Sequence, residues 1–398
     1  MPPTLNDEYN IRDKTAIVGV GNSAFARRTP DVSPLSLVLD AFRMALDDAG
    51  LRREQIDGLL INIGTPMGVD YDQTAEALGL DIRFADQTWT HGRQLGTVLA
   101  HGAMASYFGL ADYVACVCGL NWSRAGAVGA PGQNQDDREI GGAHYENPPY
   151  GVSSPGGAYA LAAQRYFDRY GATSADLAEV CVTIRNNALL NPLAVMKKPL
   201  TIEDHQNSRF ICEPLHLFDY CLTAGGACVV IITRADRAKD SSKAPISLSG
   251  FQGLNAGRKE ATGARPGLGV WQQWENEPVP SQRDLDIYRR ADVAQADIQG
   301  FYTYDAMSSI VWLALERWGF CKPGEAWEFT KDGRIGLGGQ LPVNTSGGLL
   351  SEAHISSWNQ VCEIVRQLRG ECGPRQIPNA QFLQWGTNRG DAVIFRRA

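Results

Sequence analysis

Short runs of β-branched residues alternate with helical patterns along this chain, and a similar order occurs twice. The first series reads strand, helix, strand, helix, strand, helix, strand. This order is typical of a buried, largely parallel sheet with helices packed on its faces. The predicted strands are residues 15–21, 57–63, 83–88 and 113–119, and the predicted helices are residues 33–49, 73–78 and 92–108.

A second series of strands and helices begins after residue 244. A chain of 398 residues is better suited to two domain-sized halves than to one. The repeated order therefore predicts two structurally similar halves. The predicted strands of the second series are residues 245–251, 298–303, 380–385 and 391–396, and its helices are residues 285–295, 307–318 and 352–368.

The stretch between the two series is irregular and rich in Gly, Pro and Asn, with helical patterns only at residues 158–170 and 174–190. An apolar strand returns at residues 226–233, and a Lys, Asp and Ser-rich linker follows it. The predicted organisation is a first half at residues 1–119, an inserted loop domain at 120–224, the last strand of the first half within 225–240 and a second half at 241–398.

Charge and hydropathy exclude several classes of partner. The formal net charge is -7, and the Lys and Arg residues form no basic stripe that could neutralise a run of phosphates, so nucleic acid is not an expected partner. No run of about twenty apolar residues is present, and residues 1–14 are polar, without the pattern of a signal peptide. We therefore expect a cytoplasmic protein that does not bind membranes.

The nine cysteines are odd in number and unrelated in spacing, and several lie inside apolar segments. Reduced, mostly buried thiols are the natural interpretation. Cys116 and Cys118 would share one face of a strand, so a paired metal or redox site could be imagined there. No second pair with zinc-ligand spacing accompanies them, so core packing is favoured and no metal site is predicted.

Five segments carry a resemblance to a known family: residues 16–21 (AIVGVG), 225–233, 304–307 (YDAM), 341–352 (LPVNTSGGLLSE) and 386–395. On these segments the chain resembles the thiolase superfamily over nearly its whole length, especially the lipid-transfer-protein branch related to the thiolase part of sterol carrier proteins. The resemblance implies an α/β thiolase fold. In that fold two similar βαβαβαββ halves form a five-layer αβαβα core, and an inserted loop domain lies over the active site.

The chain departs from thiolases at both of their cysteines. In thiolases a Cys, two small residues and a Gly open the long helix after the third strand, where the helix N-terminus lowers the thiol pKa. The matching residues here read Trp89, Thr90, His91 and Gly92, and Trp89 cannot act as a nucleophile. The second thiolase cysteine corresponds to the neighbourhood of Trp385, where no cysteine stands. A covalent acyl-cysteine is therefore not expected.

Two polar positions of the thiolase site are occupied. The Asn and His that help stabilise the enolate oxygen in thiolases are matched by Tyr304 and His354. The resemblance places both side chains over the carboxyl ends of the strands, where α/β folds bind ligands. Taken alone, Tyr304 could equally be a packed aromatic residue, and His354 a helix cap or a core histidine.

Members of the lipid-transfer branch that resemble this chain are aldolases of steroid side-chain degradation, in which two tyrosines move protons. One of them matches Tyr304, whereas the other would match His354, so the chain departs there. The implied function is retro-aldol cleavage of a β-hydroxyacyl-CoA, such as a steroid side-chain thioester, into a short acyl-CoA and a ketone or aldehyde. His354 would polarise the thioester or accept the hydroxyl proton, and Tyr304 would be its relay partner.

Six further residues are candidates for substrate binding: Trp89, His91, His144, Asn344, Gly347 and Gly348. Trp89 would form a wall against a flat, apolar substrate. His91 and His144 could reach the pocket, although a structural role is more common for such histidines. Gly347 and Gly348 would allow close approach of the backbone, or would simply form a turn.

The same residues leave two other functions open, namely a thiolase-like acyltransferase with its nucleophile elsewhere and a non-catalytic subunit that binds acyl-CoA. The predicted aldolase needs no cofactor, since coenzyme A is part of the substrate. The resemblance also implies a homodimer, paired through the edge strand at residues 83–88. It further implies a small partner protein with an OB-fold and a zinc ribbon.

Overall fold

The computed structural model describes residues 10–27, 31–65, 67–88, 94–122, 155–254 and 282–398. Within these ranges, no helix is long and apolar enough to cross a membrane. Before the central insertion the strands are β1 (Thr15–Asn22), β2 (Gly58–Asn62), β3 (Phe84–Thr88) and β4 (Tyr113–Asn121), and the helices are α1 (Pro34–Ala49), α2 (Tyr71–Leu78) and α3 (Leu95–Tyr107).

The described part of the central segment, from residue 155 onward, is mainly helical and ends in a long apolar strand. Its elements are α4 (Pro155–Tyr170), α5 (Ser174–Leu189), α6 (Ile202–Gln206), the hairpin strands β5 (Phe210–Cys212) and β6 (Leu215–His216), β7 (Gly225–Arg234) and α7 (Ala235–Ala238). The remaining elements are β8 (Ile246–Gln252), α8 (Gln282–Ala291), β9 (Phe301–Tyr302), α9 (Ser308–Arg317), α10 (Ala326–Phe329), α11 (Trp358–Arg369), β10 (Phe382–Gly386) and β11 (Ala392–Arg397).

Nine of the described strands form one mixed sheet in the order β3-β2-β4-β7-β1-β8-β11-β10-β9. Strands β1 and β8 pair antiparallel at its centre. In the first half, β7 pairs antiparallel with β1 and with β4, and β4 pairs parallel with β2. In the second half, β11 pairs antiparallel with β8 and with β10, and β10 pairs parallel with β9. The predicted similarity of the two halves is therefore confirmed in strand order and in strand direction.

Alternate residues of the strands face different layers, as the period of two requires. In β4, Cys116 packs into the middle of the molecule and Val117 packs toward α1. Helices α3 and α11 form the middle layer, since each contacts strands of both halves. Helix α1 covers the outer face of the first half, and α8 and α9 cover that of the second, which gives the five layers expected.

The glycines of β1 allow α1 to lie unusually close to the sheet. A Cβ atom on Gly21 would lie 2.0 Å from the carbonyl oxygen of Ala41, and one on Gly19 would lie 2.4 Å from that of Ala45. Both distances are far below van der Waals contact, so no other residue fits at either position. This close approach explains the Gly-Val-Gly sequence at the start of the chain.

Two predicted elements of the second half are shorter in the structure. The helix expected at residues 352–368 begins at Trp358, because the preceding residues form a loop with positive φ angles at Asn344, Gly347, Gly348, Ser356 and Ser357. The strand expected at residues 298–303 is limited to Phe301–Tyr302, and the Ile298 backbone N–H closes the preceding 3₁₀ turn by donating to the Gln295 carbonyl oxygen. The first change lengthens the loop that carries His354, whereas the second shortens β9 mainly at its amino end.

Candidate active site

Tyr304 and His354 meet beside the carboxyl end of β9. The Tyr304 hydroxyl lies 3.1 Å from His354 Nε2, and the two ring centroids are 5.7 Å apart. His354 is 1% exposed, whereas Tyr304 is half-buried. The structure thus brings the two predicted catalytic residues into hydrogen-bond contact, and their catalytic role stays a prediction.

Trp122 packs against His354 and was not identified from the sequence. Its Nε1 donates to the His354 carbonyl oxygen at 3.0 Å, and the two ring centroids lie 5.3 Å apart. Trp122 directly follows β4, and its contact with His354 brings the carboxyl end of that strand to the pair formed by Tyr304 and His354. An aromatic residue just after a predicted strand was the signal that could have identified it.

The loop at residues 344–357 carries His354 and is tied to the strand that carries Tyr304. Asn344 accepts a hydrogen bond from the Thr303 backbone N–H at 2.9 Å and donates to the Thr303 carbonyl oxygen at 3.1 Å. These bonds fix the backbone next to Tyr304. The Asn344 amide therefore contacts the protein's own backbone, and its contact with substrate stays a prediction.

Asp305 fixes the other side of this loop. Its fully buried carboxylate accepts hydrogen bonds from the Leu349 backbone N–H at 2.8 Å and from Gln360 Nε2 at 2.9 Å. Burial raises the pKa of Asp305 to about 6, although the backbone hydrogen bonds oppose the rise. The carboxyl group thus links the residue after Tyr304 to the loop that bears His354.

Gly347 and Gly348 are required by this packing. A Cβ atom on Gly348 would lie 2.1 Å from Asp305 Oδ2, and one on Gly347 would lie 2.5 Å from the Cβ of Ala188. The φ angle is +106° at Gly347 and +55° at Gly348, and such positive angles disfavour residues other than glycine. The close approach predicted for this pair is therefore present, but it is an approach to Asp305 and to α5. Contact of the two glycines with substrate stays a prediction.

Trp385, near the place of the second thiolase cysteine, has a structural role. It is fully buried, and its Nε1 donates to Gln360 Oε1 at 3.0 Å. Gln360 in turn donates to the Thr303 carbonyl oxygen at 2.7 Å and to Asp305. The position of a thiolase proton donor is thus part of the network that holds Tyr304 in place.

Glu352 is a second buried carboxyl group in the same loop. It accepts hydrogen bonds from Ser346 Oγ, from Asn359 Nδ2 at 2.6 Å and from Asn191 Nδ2 at 2.9 Å. Burial raises its pKa to about 7, and these hydrogen bonds oppose the rise. Since Glu352 is two residues from His354, this network restricts the loop around the imidazole.

The N-terminus of α3, where thiolases carry their nucleophile, is bound by a carboxyl group from the other half. Asp391 accepts from the Gly96 backbone N–H at 2.8 Å and from the Thr97 hydroxyl at 3.0 Å. Burial raises its pKa to about 7. Trp89, His91 and His144, predicted to line the pocket, lie outside the described residues, and so does the loop that precedes α3.

The cysteines are all free, as expected. Burial raises the pKa of Cys116, Cys118, Cys181, Cys221, Cys228, Cys321 and Cys372. Cys221 lies beside the segment after Tyr304, where its backbone N–H donates to the Ala306 carbonyl oxygen at 3.0 Å. Its thiol pKa is raised to about 12, so it does not have the properties of an activated nucleophile.

Known proteins resemble this chain in sequence and in structure. A family model described as "Thiolase C-terminal domain-like" matches residues 285–390. A "17-hydroxy-3-oxo-4-pregnene-20-carboxyl-CoA lyase" of Mycobacterium tuberculosis is 35% identical over 90% of this chain and 92% of its own length. A "Steroid side-chain-cleaving aldolase" of Thermomonospora curvata is 34% identical over 89% of this chain and 90% of its own length.

The same similarity is found among solved structures. The structure named "Ltp2-ChsH2(DUF35) aldolase" has a TM-score of 0.84 and 30% identity, and the match covers 98% of both chains. Human mitochondrial 3-ketoacyl-CoA thiolase has a TM-score of 0.64 and 13% identity, with 98% of this chain and 99% of that chain covered. The second similarity concerns the fold alone.

Proposed function

Because this chain belongs to the thiolase superfamily, in the branch of the steroid side-chain-cleaving aldolases, we propose that it cleaves a steroid side-chain β-hydroxyacyl-CoA by a retro-aldol reaction. The products are a short acyl-CoA and a ketone or aldehyde. The family and the fold predicted from the sequence are thereby confirmed, as is the assignment to aldolases.

The contact between the Tyr304 hydroxyl and His354 Nε2 is the observation that carries the mechanism. A base removes the β-hydroxyl proton, and the electron pair of the breaking carbon–carbon bond moves into the thioester enolate. An acid then protonates the α-carbon, so that one proton is taken up and one is returned. His354 either accepts the hydroxyl proton or polarises the thioester oxygen, and Tyr304 relays the proton.

The reaction needs no nucleophile, and it needs no cofactor beyond the coenzyme A of the substrate. Support comes from the raised pKa of Cys221, the thiol beside the segment that follows Tyr304. It comes also from Trp385, whose place near the second thiolase cysteine serves packing and hydrogen bonding. An acyl-cysteine intermediate is therefore not part of the proposed mechanism.

We propose in addition that the protein is a homodimer that acts in the cytoplasm. Strand β3 lies at the edge of the sheet, where a second copy could pair with it. All nine cysteines are free, which suits a reducing compartment. A small partner with an OB-fold and a zinc ribbon completes the proposed assembly. Sedimentation at micromolar concentration tests the dimer, which a 43.3 kDa species alone would contradict.

The test of the proposed function is product detection. The purified chain, alone and with its partner, is incubated with a panel of β-hydroxyacyl-CoAs that differ in the bulk of the acyl group. Mass spectrometry then detects the ketone or aldehyde and the short acyl-CoA. Cleavage of the steroid thioesters, without an acyl adduct on any cysteine, is expected. An acyl adduct would support the acyltransferase instead, and a complex that binds but cleaves none of the panel would support a non-catalytic subunit.

A further inference from the structure

Three potential metal ligands converge in the central segment, away from Tyr304 and His354. They are Cys181 on α5, His205 on α6 and Asp219 in the 3₁₀ turn Leu217–Asp219. Each offers one ligand atom, and these three atoms lie within 4.8 Å of one another. All three residues are buried, so neither substrate nor bulk water reaches them.

The distances between these atoms fit a small cation at their centre. His205 Nε2 lies 3.0 Å from Asp219 Oδ1, and Cys181 Sγ lies 3.4 Å from the same oxygen. Ligands of a tetrahedral zinc ion with ordinary bond lengths stand about 3.4 Å (N to O) and about 3.6 Å (S to O) apart. These two distances are therefore within a few tenths of an ångström of those that zinc requires, and the distance from Cys181 Sγ to the His205 ligand atom is below 4.8 Å.

His205 provides a second, independent observation. Its Nε2 is buried and makes no hydrogen bond of acceptable geometry, although the Asp219 carboxylate is close. A buried polar nitrogen without such a bond is costly, and it needs an explanation. Its other ring nitrogen, Nδ1, lies 3.0 Å from the side-chain amide of Gln206, so the ring is held with Nε2 toward Asp219. A zinc ion at Nε2 requires the ring proton on Nδ1, and the Gln206 amide would then turn its oxygen toward Nδ1 as the acceptor.

Neighbouring groups orient the carboxylate in the same way. The His216 backbone N–H donates to Asp219 Oδ2 at 2.7 Å, and the Ser308 hydroxyl donates to Oδ1 at 2.5 Å. The Ser308 hydroxyl also interacts with the Cys181 thiol. Ser308 thus holds the Asp219 carboxylate in place and lies beside two of the three ligands.

Charge balance favours a divalent ion here. A thiolate, a carboxylate and a neutral imidazole together carry two negative charges, and burying them without compensation is strongly unfavourable. Zinc binding displaces the thiol proton of Cys181 to solvent and leaves the group of four with no net charge. The mixed set of sulfur, nitrogen and oxygen ligands suits zinc better than magnesium or calcium, which prefer oxygen alone.

We propose that Cys181, His205 and Asp219 bind one zinc ion. The ion would join α5, α6 and the turn Leu217–Asp219, and the Ser308 hydroxyl, on the first residue of α9, donates to the Asp219 ligand. Just after this turn, the Cys221 and Leu222 backbone N–H groups donate to the carbonyl oxygens of Ala306 and Leu349, each at 3.0 Å. The zinc site therefore braces the central segment against the two loops that hold Tyr304 and His354.

The test measures metal in the full-length chain purified without its partner, because a zinc ribbon in the partner would contribute metal of its own. Elemental analysis of the wild-type chain is expected to give about one zinc ion per chain. Replacement by cobalt should produce a thiolate-to-cobalt absorption band in the near ultraviolet. A strong chelator should lower the melting temperature of the wild-type chain.

Matched variants assign the metal to this cluster. Cys181→Ser and His205→Ala should lose the zinc, and Cys181→Ser should lose the cobalt band. The controls Cys212→Ser and His101→Ala, which change an exposed cysteine and a surface histidine, should retain both. A folded wild-type chain that takes up neither zinc nor cobalt would overturn the proposal, as would full zinc content in both cluster variants. If those variants do not fold, the cobalt spectrum and the chelator experiment on the wild-type chain still decide.

Discussion

Helices α3 and α11 occupy equivalent places in the two halves, yet their N-terminal ends differ. Each precedes the next-to-last strand of its half, and both lie in the middle layer. At α3 the first backbone N–H groups are bound by the Asp391 carboxyl group. At α11 the N-cap residue Ser357 makes no side-chain capping bond, and the preceding loop carries His354.

The difference indicates how a thiolase fold can perform chemistry without a nucleophile. The free N–H groups and partial positive charge of a helix N-terminus stabilise an anion. In thiolases that anion is the reactive thiolate before the helix equivalent to α3. In this chain a fixed carboxyl group of the protein itself occupies the end of α3. The polar groups available for catalysis then lie before α11, on the second half.

The largest effect is expected when a proton carrier is removed from the site near the N-terminus of α11. Tyr304→Phe and His354→Ala should each lower the cleavage rate by about 100-fold or more, because each removes a proton carrier. Since the two groups act as one relay, the double variant should be little slower than the slower single variant. The measurement is steady-state turnover of the substrate identified in the panel.

Tyr302→Phe is the matched control for this experiment. It removes a buried hydroxyl that lies 2.6 Å from Thr345 Oγ1, so it should lower stability without a comparable loss of rate. Near-normal cleavage by folded Tyr304→Phe and His354→Ala would refute the proposed roles of both residues. His354→Tyr should retain part of the activity, because it recreates the pair of tyrosines found in related aldolases.

The packing behind the α11 loop is tested by Gly348→Ala. The added Cβ would collide with Asp305 and would also strain a residue with positive φ, so we expect a loss of about 2 kcal/mol or more in the free energy of unfolding. Gly373→Ala has the same φ of +55° and no atom within 4 Å of the new Cβ, so it measures the conformational strain alone. Equal losses in the two variants, measured by urea unfolding, would show that the contact with Asp305 has no energetic role.

The α3 end is tested through the pH dependence of stability. Because the pKa of Asp391 in the folded state is raised to about 7, above its unfolded value of about 4, its contribution to stability is complete below pH ~4 and is lost as the pH rises to ~7. Asp391→Asn should remove this decline, which amounts to about 3 kcal/mol between pH 4 and pH 7. Asp70→Asn, at a carboxyl whose pKa is lowered by Thr65, should leave the decline between pH 5 and 7 unchanged.

The Asp391→Asn variant also tests whether the carboxyl group at the N-terminus of α3 takes part in catalysis. The amide oxygen of the new side chain could still accept a hydrogen bond from the Gly96 backbone N–H, so turnover should stay within a few-fold of wild type. A loss of turnover as large as that of Tyr304→Phe, in a chain of unchanged stability, would make Asp391 part of the chemistry. The contrast drawn between α3 and α11 would then be wrong.

The smallest effect is expected from Trp122→Phe. The substitution keeps an aromatic ring beside His354 but removes the hydrogen bond to the His354 carbonyl oxygen. A net cost of about 1 kcal/mol corresponds to a several-fold lower rate. Because Trp122 positions His354 without moving a proton, the pH dependence of the rate should be unchanged. A displaced pH profile would mean that Trp122 also sets the proton affinity of His354.

The fold and the candidate site could be predicted from the sequence where a single periodicity or motif determines the local structure. The strand and helix order, the contact between Tyr304 and His354 and the glycine requirement at residues 347–348 could all be predicted. The roles of Asp391 and Trp122 could not, because each depends on a neighbour that is far away in the chain. The late start of α11 was missed because helical periodicity continues into a loop that polar contacts hold in positive φ.

The central position of β1 has a consequence for synthesis of the chain. Its partners β7 and β8 follow it by about 200 residues. At about 5–20 residues per second, the ribosome exposes β1 for about 10–40 s before β7 emerges. During that time both hydrogen-bonding edges of an apolar strand are unsatisfied, so the nascent chain is a substrate for chaperones. The sheet closes only after the whole central segment has been translated, which makes folding slow and dependent on distant contacts.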